Sequence, residues 1–315
     1  MTLQILYLLA SLVLFFLGAE GLVRGSASLA LRLGLTPLVV GLTVVAFGTS
    51  APELVVSLQA TLTGRGDIAV GNVIGSNIFN IGLILGTTAL ICPIRVDLPV
   101  LKLDAPLMVF ASIVVAGILA TSGTIETPVG CALAAGLIGY TAFTVWMTRK
   151  GATPATLSEF DEGTPDQSRS VFRDLVFILI GLLLLVGGSH LLVNSATFIA
   201  RSFGISEAII GLTIVAAGTS MPELATSLLA ALRRQPDIAI GNIIGSNLFN
   251  LFGILGLSAA VRPVSAPGIN QLELWVMVAF AIALLPLMWT DRRLQRWEGV
   301  LLLAGFGGYL AAIWP

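Results

Sequence analysis

Long apolar segments separated by short polar connections run along the whole chain, without the alternation of a half-buried strand or the regular polar face of a surface helix. Allowing about 20 apolar residues per membrane-spanning helix, the pattern predicts ten spans, at roughly 3–23, 36–62, 68–91, 98–120, 127–148, 171–199, 205–232, 237–261, 272–289 and 297–314. The one long polar connection, 149–170, holds Gly151, Pro154, Gly163, Pro165 and mixed charges, which is linker composition. It divides the chain into two predicted five-helix halves, 1–148 and 171–315. The apolar N-terminus has no charged stretch ahead of it and is followed by Glu20 and Arg24, so it reads as a first span rather than a cleaved leader.

Composition strengthens that picture: 56% of residues are hydrophobic and 10% charged, against about 25% charged in ordinary soluble domains. A net charge of -1, with no basic patch or tail, argues against a nucleic-acid partner. The lipid bilayer is the expected surrounding, and a small cation remains a possible partner. Cys92 and Cys131 sit in apolar context without metal-ligand spacing and read as packing residues. Of the 16 Lys and Arg, all but Arg65, Arg201 and Arg262 fall in alternate connections, beginning with the first. Positive connections are retained in the cytoplasm, which places the 149–170 linker there and both termini outside. Because five spans is an odd number, the second half then enters from the opposite side, as an inverted-topology repeat.

The repeat is visible in the letters. GLTVVAFGTSAPELVVSLQA, from Gly41, returns as GLTIVAAGTSMPELATSLLA, from Gly211, and DIAVGNVIGSNIFN, from Asp67, returns as DIAIGNIIGSNLFN, from Asp237. Across 41–86 and 211–256, at an offset of 170, 29 of 46 positions are identical without a gap. Apolar packing alone would keep hydrophobicity, not the same Thr, Ser, Glu, Asp and Asn.

Pro52 and Pro222 have no amide hydrogen and clash with the carbonyl four residues back, while Gly48 and Gly218 loosen the helix beside them, so each span should break at its middle. Broken backbone at membrane depth is tolerated where it is buried or lines a cavity, and its freed carbonyls can hold cations. Helical spacing sets Thr49 and Ser50 near the face of Glu53, and Thr219 and Ser220 near that of Glu223. In the following span Asn72, Ser76 and Asn80 form a polar stripe that Asn242, Ser246 and Asn250 repeat. Gly71, Gly75, Gly241 and Gly245 supply small-residue surfaces for close helix approach. Such carboxylate, amide, hydroxyl and carbonyl oxygens are hard ligands for Ca2+ or Na+. An ionisable group at mid-membrane is functional by default.

GTS-x-PE and GN-x-IGSN, each present twice, resemble the α-repeats of the cation/calcium antiporter superfamily, most closely its prokaryotic sodium/calcium exchangers. The resemblance implies an all-α polytopic antiporter exchanging Ca2+ for Na+, without enzymatic activity, cofactor or obligate protein partner, in a bacterial or archaeal cell membrane. It implies Glu53 and Glu223 as central calcium ligands beside the carbonyls of Thr49 and Thr219. Ser50, Ser220, Ser76, Ser246, Asn80 and Asn250, with the carbonyls of Ala46 and Ala216, would form flanking sodium sites. Related exchangers often carry aspartate where this chain has Asn250. Proton/calcium exchange is the main alternative, since glutamates also bind H+. A cation channel would share the ligands, and a serine hydrolase would need Ser220 with His190 as its base. His190 aligns with Glu20 at the offset of 170; both are expected near the outer third of a span, as packed polar groups.

Overall fold

The computed structural model describes residues 2–151, 170–203 and 216–313. They are almost entirely helical: α1 (Thr2–Leu33), α2 (Pro37–Thr49), α3 (Ala51–Leu62), α4 (Gly66–Ile91), α5 (Val100–Ser122), α6 (Thr127–Gly151), α7 (Val171–Ser202), α8 (Ala216–Thr219), α9 (Met221–Leu232), α10 (Pro236–Val261), α11 (Gln271–Trp289) and α12 (Arg296–Ile313). Among the described residues seven helices are long and apolar enough to cross a membrane, or eight if the bent pair α2 and α3 is one span. Most of the expected 205–232 span's first half and the interior of the 149–170 linker, with Glu159, Asp161, Glu162 and Asp166, lie outside the described residues.

The first helix corrects the sequence reading: it runs to Leu33, so Glu20, Arg24 and Arg32 lie inside it rather than ending it. These groups find partners within α1 and on neighbouring segments. Glu20 takes Arg24 at 2.5 Å and Arg233 at 2.7 Å, and Arg32 meets buried Asp174, at the start of α7, at 2.8 Å. Glu20 therefore lies past the middle of its helix, at the same end as Arg233, while His190 is exposed. Glu20 is packed between two arginines, as expected of a polar group inside a span, whereas His190 is exposed rather than packed.

Two hydrophobic clusters organise the packing. The larger centres on α4, α5, α10 and α11, with Ile74, Ile78, Met108, Ile244 and Met277 fully buried or nearly so. The smaller joins α1 and α7 to α2 and α9 through Phe15, Leu22, Val39, Leu185 and Leu229. The apolar window of α10 is 100% buried, against 28% in α1 and in α7, so α10 is an interior helix and the α1/α7 pair is peripheral. That pair is nearly in backbone contact: a Cβ on Gly18 or Gly25 would fall 2.8 Å from the carbonyl oxygen of Gly181 or Asp174. Gly241 and Gly245 play the same part where α10 crosses α2, with a Cβ reaching within 2.7 Å of Leu38 O and 2.6 Å of Leu42 O. Near Gly75 nothing among the described residues lies within 4 Å.

Four two-residue strands form two small antiparallel ladders between helix connections. β1 (Ile94–Arg95) pairs with β4 (Arg293–Leu294), and β2 (Thr124–Ile125) pairs with β3 (Val264–Ser265).

Candidate functional site

Pro52 breaks the second helix where its missing amide predicts: α2 ends at Thr49, Ser50 leaves the helical region at φ -84° and ψ 8°, and α3 departs at 50°. Ser220 holds nearly the same conformation, φ -89° and ψ 6°, ahead of Pro222. Each break puts its glutamate in the first turn of the next helix, in the protein interior, and Glu53 and Glu223 are both 1% exposed.

The hydroxyls bond across the molecule rather than within their own halves. Ser50 Oγ donates to Glu223 Oε1 at 2.8 Å, and Ser220 Oγ donates to Glu53 Oε1 at 3.0 Å. Ser76 Oγ stands 3.3 Å from Ser220 Oγ. Thr49 Oγ1 donates to Asn242 Oδ1 at 3.1 Å. Helical spacing alone groups Ser50 with Glu53; the approach of the start of α9 to the end of α2 sets it on Glu223 instead. Thr219 is 7% exposed beside Ser220.

The asparagine stripe does two jobs. Asn72 Nδ2 donates to the Glu53 carbonyl at 3.2 Å and to Ser57 Oγ at 2.9 Å; Asn242 Nδ2 repeats this with the Glu223 carbonyl at 3.4 Å and Ser227 Oγ at 2.9 Å. These bonds fix α4 against α3 and α10 against α9. Farther along, Asn80 Nδ2 donates to Asn247 Oδ1 at 3.1 Å and Asn250 Nδ2 to Asn77 Oδ1 at 3.0 Å. Behind them Asn247 Nδ2 faces Met108 Sδ at 3.4 Å, and Asn77 Nδ2 faces Met277 Sδ at 3.7 Å. A thioether sulfur only accepts, so it sets the amide of Asn77 or Asn247 nitrogen-first, which in turn leaves the Asn250 or Asn80 oxygen pointing elsewhere. Asn80 opens a π-helical turn, Asn80–Leu85, and Asn250 lies in another, Phe249–Ile254. Such turns frequently mark functional sites.

Among the described side chains of the candidate site, five buried oxygens have no hydrogen-bond partner: Oε2 of Glu53 and of Glu223, Oδ1 of Asn80 and of Asn250, and Oγ of Ser246. Unsatisfied oxygen acceptors at this depth cost several kcal/mol each when charged unless a cation or proton compensates. They form in two cases a matched pair from the two halves. Ala46 O is already engaged, accepting from Ser50 N at 3.1 Å and lying 3.4 Å from Thr49 Oγ1. Ala216 opens α8 at the edge of the described residues. The carbonyl that Pro222 deprives of its helical donor, on Gly218, instead accepts from Ser189 Oγ of α7 at 2.6 Å. Ser220 faces a carboxylate and a second serine, while His190 is exposed, so the hydrolase reading has no geometry behind it.

Sequence reasoning missed Asn77, Asn247, Ser57, Ser227, Ser189, Met108 and Met277. The first four repeat at the offset of 170 and were open to the argument used for their neighbours. Ser189 aligns with Ala19, and the methionines stand 169 apart outside the repeated window, so letters alone gave no signal for these three.

A sequence model described as sodium/calcium exchanger protein matches residues 3–146 and 174–314. The chain is 40% identical over 313 residues to the putative antiporter CaxA of Alkalimonas amylolytica, covering 96% of each. It is 31% identical to the sodium/calcium exchanger MaX1 of Methanosarcina acetivorans, covering 99% of each. Among solved structures, the sodium-calcium exchanger NCX_Mj soaked with Na+ and Sr2+ superposes with a TM-score of 0.85 at 33% identity, covering 99% of both chains. With matches spanning nearly its full length, this integral membrane protein belongs to the sodium/calcium exchanger protein family.

Proposed function

We propose that the protein is a secondary antiporter that exchanges Ca2+ for Na+ at one site between Glu53 and Glu223, exposed alternately to the two sides of the membrane. The observation that carries this reading is the cross-bonded glutamate pair with its unpartnered oxygens. Two carboxylates balance one Ca2+ or two Na+, and they cannot serve both loads together, so sodium occupancy expels calcium and the cycle becomes exchange. The remaining neutral oxygens of Ser246, Asn80 and Asn250 suit additional hard cations, more than a proton would require. Thr49, Ser50, Ser76, Thr219 and Ser220, with the carbonyls of Ala46 and Ala216, complete the proposed ligand set.

The proposed architecture is ten spans in two inverted halves, 1–148 and 171–315, with repeats at 41–86 and 211–256 and the linker in the cytoplasm. The ladders support the inversion. Ile94 of β1 and Val264 of β3 stand 170 apart, yet their ladders close opposite connections, spans three to four with nine to ten and spans four to five with eight to nine. The α1/α7 pair, packed by its own cluster, is the proposed moving part, and the interior of α4 and α10 the fixed part.

Calcium uptake into proteoliposomes tests the reading. An outward sodium gradient should drive uptake, and an outward proton gradient alone should not. Uptake driven by protons with sodium absent would replace sodium by H+ as the coupling ion. Flux independent of any counter-ion would replace the exchanger by a channel. Orientation is tested separately by single cysteines placed in the 149–170 linker of a chain lacking Cys92 and Cys131: labelling by an impermeant external reagent would reverse it.

A further inference from the structure

The two ladders occupy equivalent places and carry opposite chemistry. In the β2/β3 ladder the facing pair is Thr124 and Ser265, whose hydroxyls hydrogen-bond at 3.1 Å. In the β1/β4 ladder the facing pair is Arg95 and Arg293. Like charges directly opposite in an antiparallel pair are destabilising, and among the described residues neither guanidinium has an ion pair. A third arginine, Arg292, stands beside them on left-handed backbone, φ 49°, following Asp291 at φ 53°. Two successive non-glycine residues in that region hold the turn at an energetic cost. The three arginines line one recess of about 510 Å3 with Asp97, Asp291 and Trp289. Neither carboxylate lies within ion-pair distance of them among the described residues.

Trp289 is 67% exposed at the end of α11, where tryptophan marks the membrane–water interface. One helical turn before it, at Pro286 and Leu287, begins an apolar groove of about 400 Å3 between α11 and α12, also lined by Phe280, Ala283, Leu301 and Gly305. Three guanidinium groups outnumber the two carboxylates of their recess, and the recess sits about one helical turn from an apolar groove along two spans, a pairing with the chemistry of a phosphate head and an acyl tail.

We propose that this recess binds an anionic phospholipid, its phosphate held among Arg95, Arg292 and Arg293 and one acyl chain lying between α11 and α12. The full chain is reconstituted in phosphatidylcholine, with or without phosphatidylglycerol, and its thermal unfolding midpoint recorded. Phosphatidylglycerol should raise the parent's midpoint by several degrees. Arg95→Gln/Arg293→Gln should lose that rise, yet melt no lower than the parent in phosphatidylcholine alone, because the variant removes a repulsion. Ala283→Trp, which fills the groove and leaves the arginines in place, should also lose it. Arg149→Gln/Lys150→Gln, at a distant basic helix end, should keep it. The proposal is overturned if the arginine variant retains the parent's rise, if the distant variant loses as much, or if inorganic phosphate in phosphatidylcholine reproduces the rise. A retained rise in Ala283→Trp overturns the acyl-chain seat. These readouts are independent of ion transport, so they stand apart from the proposed exchange.

Discussion

Glu53 receives Ser220 and Glu223 receives Ser50, Asn72 and Asn242 hold the equivalent carbonyls, and Asn80 and Asn250 pair with Asn247 and Asn77, so the two halves of the site match in these bonds and differ at the serine stripe, where Ser76 reaches Ser220 while Ser246 Oγ has no partner. The helices around the site do not match. α7 touches both breaks, with Leu182 nearest Gly48 and Val193 nearest Gly218, whereas α1 leans on α9 through Glu20 and Arg233. A symmetric site inside an asymmetric surround is what an alternating carrier requires: the ligands must serve both orientations equally, while the surround distinguishes them.

The strongest way to break the comparison is to neutralise one glutamate at a time. Glu53→Gln and Glu223→Gln should each lower calcium transport by at least about a hundredfold, since removing one member of a buried ion set costs about 3–5 kcal/mol. Both should keep the parent's helical circular dichroism. Initial uptake rates in proteoliposomes measure the effect, and near-parent transport in either variant would end the assignment of a shared site.

A smaller effect is expected one layer out. Asn77→Leu or Asn247→Leu strands a buried amide and a sulfur, at about 1–3 kcal/mol, which should raise the half-saturating ion concentration roughly tenfold while leaving both carboxylates in place. Met108→Leu or Met277→Leu keeps the volume and removes only a weak acceptor, at under about 1 kcal/mol. The two asparagine variants should agree within a factor of about two if the halves are equivalent in function. A large difference between them, in the same uptake assay, would show that the matched geometry hides an unequal division of labour.

What was legible in the sequence follows the range of the interactions. The breaks were readable because Pro52 and Pro222 act on carbonyls four residues away, and the stripe because Asn72, Ser76 and Asn80 obey helical periodicity. The repeat made both readings twice as firm. The exchange of hydroxyls between halves was not readable, because Ser50 and Glu223 are brought together only by the packing of helices 173 residues apart. Nor was the length of α1, whose Arg24 and Arg32 lie past the apolar run that sets the predicted span at 3–23, and whose Arg32 is held inside the helix by Asp174 of α7.

The subtlest test concerns Ser189, whose hydroxyl takes the Gly218 carbonyl left without a helical donor by Pro222. At the equivalent place in the first half stands Ala19, which has nothing to offer the Gly48 carbonyl that Pro52 leaves in the same condition. If the α1/α7 pair moves between mirrored arrangements, the Ser189 bond exists in this one and has no counterpart in the other. It then biases the equilibrium toward this arrangement by the net value of one buried hydrogen bond, about 0.5–1.5 kcal/mol. Ser189→Ala should therefore shift the ratio of half-saturating calcium concentrations on the two faces by about two- to tenfold. Ala19→Ser, by supplying the missing donor to the opposite arrangement, should move that ratio in the same direction, and the double variant should move it further than either alone. An equal change on both faces in Ser189→Ala would mean that the bond supports the broken helix without choosing between arrangements.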